Sequence, residues 1–147
     1  MAGFLSRLFG PGRTTPPVRD IDPYEAAAAL LVEAALADGI YANLESDMIA
    51  EILVTSFDMD ADRADAVLQR GEELSEDATD TYALTRHVKS LPEAERARLI
   101  ECLYRVSLAD GVACKFEEAY VRQVASLLHI DDVTRALARK RAEGRDS

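Results

Sequence analysis

The chain has 147 residues and a formal net charge of −10, a size typical of one domain that buries its own hydrophobic core. This acidic balance argues against nucleic-acid binding, which needs a basic face to displace counterions from phosphates, and favours cations or basic partners. The longest apolar run, residues 26–37, is interrupted by Glu33 and is shorter than the roughly 20 residues that span a bilayer, so no transmembrane helix is predicted. The two cysteines, Cys102 and Cys114, lack metal-ligand spacing, which indicates a reducing, cytoplasmic compartment.

A short amphipathic segment is predicted at residues 1–9, where large apolar side chains recur at helical spacing. These side chains are Phe4, Leu5, Leu8 and Phe9. The segment lacks the apolar region and the cleavage site of a secretory signal. Two roles are open for it: anchoring at a membrane or partner, or docking on the domain or on a second copy of the chain. Interfacial helices are usually longer and more basic, which favours docking or disorder.

The remaining chain is predicted to form one helical domain. Residues 10–19 are rich in proline and glycine and are interpreted as a linker. The domain is expected over residues 20–142, and residues 143–147 are expected to be a disordered tail.

Seven helices are predicted in this domain from apolar spacing and from end signals. The first begins at Pro23, after an acidic N-cap, and ends near Asp38, where Gly39 can adopt left-handed backbone. The others are expected near residues 43–57, 62–74, 82–89, 92–110, 116–128 and 131–141. No segment has the period-two alternation of a strand, so the predicted fold is an all-α compact bundle.

Two further expectations concern helix packing. The first helix is rich in alanine, so a neighbouring helix is expected to approach it closely. The alanines concerned are Ala27, Ala28, Ala34 and Ala35. The third helix is predicted to be peripheral and weakly amphipathic, because Ala66, Val67 and Arg70 fall on different sides of it.

The tetrapeptide Leu-Ala-Asp-Gly occurs twice, at residues 36–39 and 108–111, and a glutamate follows each aspartate at the same offset. The acids in the two copies are Asp38, Glu45, Asp110 and Glu117. Apolar positions after each copy also correspond, with Ile49 matching Val121. The sequence therefore predicts an internal duplication of helix pairs.

Each repeated aspartate lies at the end of its helix's buried face, beside the negative end of the helix dipole, so its charge needs compensation. One explanation is local hydrogen bonding to backbone amides after the glycine, as in Asx turns. A second is a divalent cation held by the aspartate, the later glutamate and loop carbonyls. A third is an ion pair with Arg105 or Lys115. The loop is not an EF-hand, because its ligand spacing differs.

At these residues the chain resembles the tellurite-resistance TerB family, including its small stand-alone bacterial members. The matching features are Ala37-Asp38-Gly39 with Glu45, Ala109-Asp110-Gly111 with Glu117, and the Leu128-His129-Ile130-Asp131 break. The resemblance covers residues 22–141. It implies an all-α fold with a pseudo-two-fold repeat and an acidic surface that binds divalent cations through Asp38, Glu45, Asp110 and Glu117. It also implies association with resistance to tellurite, phage or chemical stress, together with membrane partners.

The chain departs from the family pattern after Asp110, where Cys114 and Lys115 occupy the loop. Lys115 can supply the positive charge that a metal otherwise would, which leaves equal occupancy of the two copies open. Cys114 beside this lysine is a candidate for a reactive thiolate, although a lone loop cysteine is more often incidental.

The predicted function is a non-enzymatic stress-response module that binds a divalent cation such as calcium, magnesium or manganese. Its expected partner is a membrane-associated protein, which places it in the cytoplasm or at the periphery of the inner membrane; oligomerisation is left open. The alternative is a metal-independent scaffold whose acidic surface recruits a basic protein. A hydrolase that uses paired acids is a third hypothesis. Enzyme activity is not expected, because the sequence offers no nucleophile and base pair near His87 or His129.

Overall fold

The computed structural model describes residues 21–36, 43–77, 80–108 and 115–145, without the side chains of residues 43–45, 115–117 and 145. Seven helices occupy these ranges, in agreement with the sequence-based prediction. They are α1 (Pro23–Leu36), α2 (Asn43–Ser56), α3 (Ala61–Glu76), α4 (Thr81–Val88), α5 (Glu93–Leu108), α6 (Lys115–Leu127) and α7 (Asp132–Arg145). The described ranges contain no strand, so the predicted all-α fold is confirmed. No helix within them is long and apolar enough to cross a membrane.

Several predictions fall on other parts of the chain. The N-terminal segment at residues 1–9 and the linker at residues 10–19 lie outside the described residues. The internal duplication stays a prediction.

Helix α7 ends at Arg145, four residues beyond the end expected from the sequence.

Helix α1 is the central element of the bundle and contacts α2, α3, α4, α5 and α6. Nine of its 14 residues are buried, which fits a helix that is apolar around its whole circumference. It begins as predicted, because the Tyr24 amide donates to Asp22 Oδ1 at 2.7 Å and the Asp22 amide donates to Glu25 Oε1 at 3.4 Å. This reciprocal cap satisfies backbone donors that a helix start leaves unpaired.

Helix α3 packs so closely on α1 that glycine is required at the contact. A Cβ atom built on Gly71 would lie 2.8 Å from Ala28 Cβ and 2.9 Å from the Ala29 amide nitrogen. The alanines of α1 therefore allow the close approach that the sequence predicts.

The prediction that the third helix is peripheral and weakly amphipathic is wrong. Its buried residues form one regular stripe: Ala64, Val67, Leu68, Gly71 and Leu74. Ala66, by contrast, is exposed. The stripe was missed because two of its members are alanine and glycine, whose burial reflects close backbone packing rather than large apolar side chains.

Helix α5 forms the second centre of the bundle and contacts α1, α2, α6 and α7. Its predicted core stripe of Leu99, Cys102, Leu103 and Val106 is buried. Arg96, near its start, donates from Nε to the Leu91 carbonyl at 3.0 Å and from Nη1 to the Leu128 carbonyl at 2.5 Å. This side chain therefore ties the entry into α5 to the end of α6.

The predicted break between α6 and α7 is a Schellman turn. The His129 amide donates to the Ser126 carbonyl at 3.1 Å, and the Ile130 amide donates to the Ala125 carbonyl at 2.9 Å. His129 itself adopts left-handed backbone with φ of 60°. Asp131 then caps α7 by accepting a hydrogen bond from the Thr134 amide at 2.7 Å. Hydrogen bonds from the backbone and side chain of Thr134 lower the pKa of Asp131.

Candidate functional site

A half-buried carboxylate joins three helices in the structure. Glu33, in the last part of α1, accepts a hydrogen bond at Oε1 from Tyr120 Oη of α6 at 2.8 Å. The same oxygen accepts from Thr81 Oγ1, at the start of α4, at 2.9 Å. Tyr120 Oη also lies 3.3 Å from the Leu30 carbonyl oxygen. Because buried charges are stable only when paired or hydrogen-bonded, this arrangement explains how α1 tolerates an acid.

The environment of this junction shifts both of its ionisable groups. Burial raises the pKa of Glu33, and the hydrogen bonds from Tyr120 and Thr81 oppose that change. Burial, followed by the nearby charge of Glu33, raises the pKa of Tyr120 far above its usual value. Tyr120 therefore stays protonated and remains a hydrogen-bond donor across the range in which proteins fold.

The junction lies close to two described helix ends, the end of α1 and the start of α6. At about 1.5 Å per residue, Leu36 lies about 4.5 Å beyond Glu33 along α1, and Lys115 lies about 7.5 Å before Tyr120 along α6. The hydrogen bond therefore holds the end of α1 close to the beginning of α6. Residues 37–42 follow the first of these helix ends, and residues 109–114 precede the second.

A second contact, at the opposite end of α1, shows that α1 and α5 run in the same direction. Tyr24 Oη, in the first turn of α1, donates to Glu95 Oε1, in the first turn of α5, at 2.8 Å. Helices α1 and α5 thus begin side by side and contact each other. The described helix ends Leu36 and Leu108, which are the first residues of the two repeats, therefore belong to the same end of the bundle.

The predicted metal ligands themselves are not described at the level of side chains. Asp38 and Asp110 lie outside the described residues, as does Cys114. Glu45 and Glu117 lie in the first turns of α2 and α6, in the part for which only the backbone is described. Among the described residues no group of three or more histidine, cysteine, aspartate or glutamate side chains could hold a metal ion. The four-acid metal site therefore stays a prediction.

Two buried polar atoms lie at the same end of the bundle, in the last turn of α5. Arg105 Nη1 and Ser107 Oγ are both buried and have no hydrogen-bond partner within the described part of the chain. Buried polar atoms are nearly always paired, so a guanidinium at this place calls for an acceptor. This observation bears on the ion pair with Arg105 that the sequence offers as a third explanation.

Glu33 and Tyr120 were not selected as candidate site residues from the sequence. The available signal was a single acid within an otherwise apolar helix. Its partner could not be identified in the same way, because Tyr120 is 87 residues away and local periodicity carries no information about such contacts.

Comparison with known proteins agrees with the resemblance stated from the motifs. The family model described as tellurite resistance protein TerB matches residues 24–140, from the first turn of α1 to the second half of α7. This stretch includes both Asp-Gly repeats and the Glu33 junction. No curated protein and no solved structure shows significant similarity to the chain. Because the family match covers well over half of its length, the chain belongs to the tellurite resistance protein TerB family.

Proposed function

We propose that this chain is a non-enzymatic stress-response module that binds a divalent cation with the acids of its two Asp-Gly repeats. The proposed ligands are Asp38, Glu45, Asp110 and Glu117. One observation carries the proposal: Tyr120 of α6 hydrogen-bonds Glu33 of α1, which holds the helix end that leads into the first repeat near the helix start that follows the second. Family membership supports the assignment to a tellurite-resistance type of module.

The chemistry of the proposed site suits calcium, magnesium or manganese. These hard cations prefer carboxylate and carbonyl oxygens, which an Asp-Gly turn followed by glutamate supplies. Carboxylates gathered at one end of an already acidic chain repel one another, and a divalent cation removes that repulsion. Cation binding would therefore stabilise the approach of the repeats to each other.

The proposed consequence is control of a partner surface. The cation would fix the end of α1 relative to the start of α2, and the end of α5 relative to the start of α6. Glu33 links this end of the bundle to α4 through Thr81. Fixing these helix ends would therefore also affect the position of α4. We propose a membrane-associated protein as the partner, with the module in the cytoplasm or at the periphery of the inner membrane.

A second candidate function is a metal-independent scaffold whose acidic surface recruits a basic protein. The observation that favours it is the buried Arg105 Nη1, which has no acceptor within the described residues. An aspartate of the repeats that pairs with this guanidinium would be structural and would need no cation. The two candidates therefore differ in whether cations change stability.

The test is a thermal melt of chelator-treated protein titrated with calcium, magnesium, manganese and zinc. A ligand that binds only the folded state at a hundredfold excess over its Kd stabilises by about 2.7 kcal/mol. For a domain of this size the melting temperature would rise by about 5–10 °C. The rise should disappear in Asp38→Asn and Asp110→Asn. It should persist in Asp65→Asn, which changes an exposed aspartate of α3.

The opposite result would favour the scaffold. If no ion shifts the melt, the cation proposal is wrong, and a double-mutant cycle between Arg105→Gln and Asp110→Asn becomes informative. An ion pair predicts that the double variant loses little more stability than either single variant. Independent, additive losses would exclude that pair as well.

A further inference from the structure

The outer face of α7 is apolar, exposed and not covered by another described helix. Val133 is 70% exposed and Leu137 is 48% exposed, one helical turn apart. Together with Ala136 and Lys140 they line a shallow apolar depression that begins at Asp132. We call these five residues the α7 outer face. The opposite face of α7 is fully buried at Ala138 and Ala142, so the helix is held in place from one side only.

The chain carries an apolar segment outside the described residues that fits this face. Residues 1–20 are the longest stretch that lies outside the described residues. Within them, large apolar side chains recur at helical spacing: Phe4, Leu5, Leu8 and Phe9. A helix with this spacing presents its large side chains on one side. The α7 outer face has the complementary property, since its exposed apolar residues also follow helical spacing.

The contacts of the domain bring its start close to α7. Ile21 is buried, and Tyr24 Oη hydrogen-bonds Glu95 at the start of α5. The next residue, Arg96, hydrogen-bonds the Leu128 carbonyl at 2.5 Å, and α7 begins four residues after Leu128. The first turn of α5 therefore lies between the point where the domain begins and the beginning of α7.

The linker is long enough to connect these two points. Residues 10–20 span up to about 35–40 Å when extended, whereas the whole of α7 is about 21 Å long. Proline residues favour extended backbone and reduce the freedom that docking removes. The extended linker is thus longer than the face along which the segment would dock.

We infer that the Phe4–Phe9 segment docks in cis on the α7 outer face. A second copy of the chain presents the same face, but a short tether holds the segment at an effective concentration in the millimolar range, so the intramolecular contact prevails at ordinary protein concentrations. Charge permits the same pairing. Arg7 is the charged side chain within the segment. The face carries one base, Lys140, and one acid, Asp132, whose side chain is 92% exposed and lies 3.5 Å from Arg135 Nη2.

The test places a nitroxide at Ser6→Cys in the full chain with Cys114→Ser; Cys102 is 1% exposed and resists labelling. Docking predicts loss of amide signal intensity in residues 132–140 of the ¹⁵N-labelled protein. The loss should disappear in Val133→Ser/Leu137→Ser and persist in Tyr82→Ser, which changes an apolar residue that is 58% exposed on α4. Melting curves confirm that each variant is folded.

Three outcomes would overturn the inference. Signal loss outside α7 would place the segment on another surface. A second result is loss of the α7 signals only when ¹⁴N chains that carry the nitroxide are mixed with ¹⁵N chains that lack it. That result would assign the face to a second copy. Absence of signal loss, with the chain co-sedimenting with phosphatidylglycerol vesicles through Phe4 and Phe9, would assign the segment to a membrane.

Discussion

Helices α1 and α7 have the same length of 14 residues and both contain several alanines, yet they have opposite positions in the bundle. α1 is surrounded by five helices, and its alanines allow close contact with α3. α7 packs mainly on α5 through Ala138 and Ala142 and leaves Val133 and Leu137 exposed. The comparison separates two tasks. We expect stability to depend more on α1, and α7 to contribute a surface.

The strongest test of this comparison truncates one leucine in each helix. Leu31 of α1 is completely buried, and Leu137 of α7 is 48% exposed. Leu31→Ala should lower the free energy of unfolding by about 2–5 kcal/mol, because it removes buried methyl groups and leaves a cavity. Leu137→Ala should change it by about 0.5 kcal/mol or less. Urea denaturation measures both, and similar losses would show that α7 also carries the core.

A second test adds an atom at the contact between α1 and α3. Gly71→Ala places a methyl group 2.8 Å from Ala28 Cβ and against the backbone of Ala29. Neither helix can easily move away to relieve this overlap. The expected loss is about 1–3 kcal/mol, the usual cost of overpacking.

Gly144 in α7 provides the matched control for this substitution. A Cβ atom there meets nothing within 4 Å, so Gly144→Ala should be neutral or gain up to about 1 kcal/mol of helix propensity. A stabilising Gly71→Ala would mean that α3 does not lie as close to α1 as the structure has it.

A third test uses pH and concerns the one acid within α1. Because burial raises the pKa of Glu33 above its unfolded value, the folded state binds its proton more tightly than the unfolded state does. This contribution to stability is complete below the unfolded pKa, near 4.5, and is lost as pH rises through the folded pKa. Relative to Glu33→Gln, which stays neutral, wild-type protein should therefore lose stability across that window.

The control for the pH test is Glu51→Gln in α2, which changes an exposed carboxylate in mid-helix. Its stability curve should run parallel to that of the wild type between pH 4 and 7. If Glu33→Gln also ran parallel, the environment of Glu33 would be no different from that of a surface acid.

The sequence predicted the parts of this fold that depend on local chemistry. The start of α1 follows from Asp22, Pro23 and Glu25, whose side chains act within one helical turn. The seven helices follow from apolar spacing, and the end of α6 follows from the break at His129. Each of these signals is contained within a few residues, which is why a single sequence is sufficient.

The parts that the sequence did not predict depend on contacts between distant residues. The burial of α3 depends on Gly71 meeting Ala28, and the candidate site depends on Tyr120 reaching Glu33 across 87 residues. Periodicity says which face of a helix is apolar but not which helix covers it. The repeated Asp-Gly motifs were identified from the sequence. Relating the described helix ends beside them, Leu36 and Leu108, to one end of the bundle required helix directions, which only the tertiary contacts supply.

The smallest expected effect concerns the turn that positions α7. His129 adopts left-handed backbone, which costs a residue with a Cβ atom about 1–2 kcal/mol. His129→Gly should therefore stabilise the protein by up to about 1 kcal/mol, since part of the gain is offset by the greater freedom of glycine when unfolded.

The same replacement within a helix should have the opposite sign. Ala66→Gly changes an exposed position inside α3 and should cost about 1 kcal/mol. Right-handed helical backbone gives glycine no advantage, and the substitution removes the favourable helix propensity of alanine. Denaturation of the two variants side by side therefore tests the Schellman turn directly. Destabilisation in both would mean that the His129 side chain contributes contacts that outweigh its backbone strain.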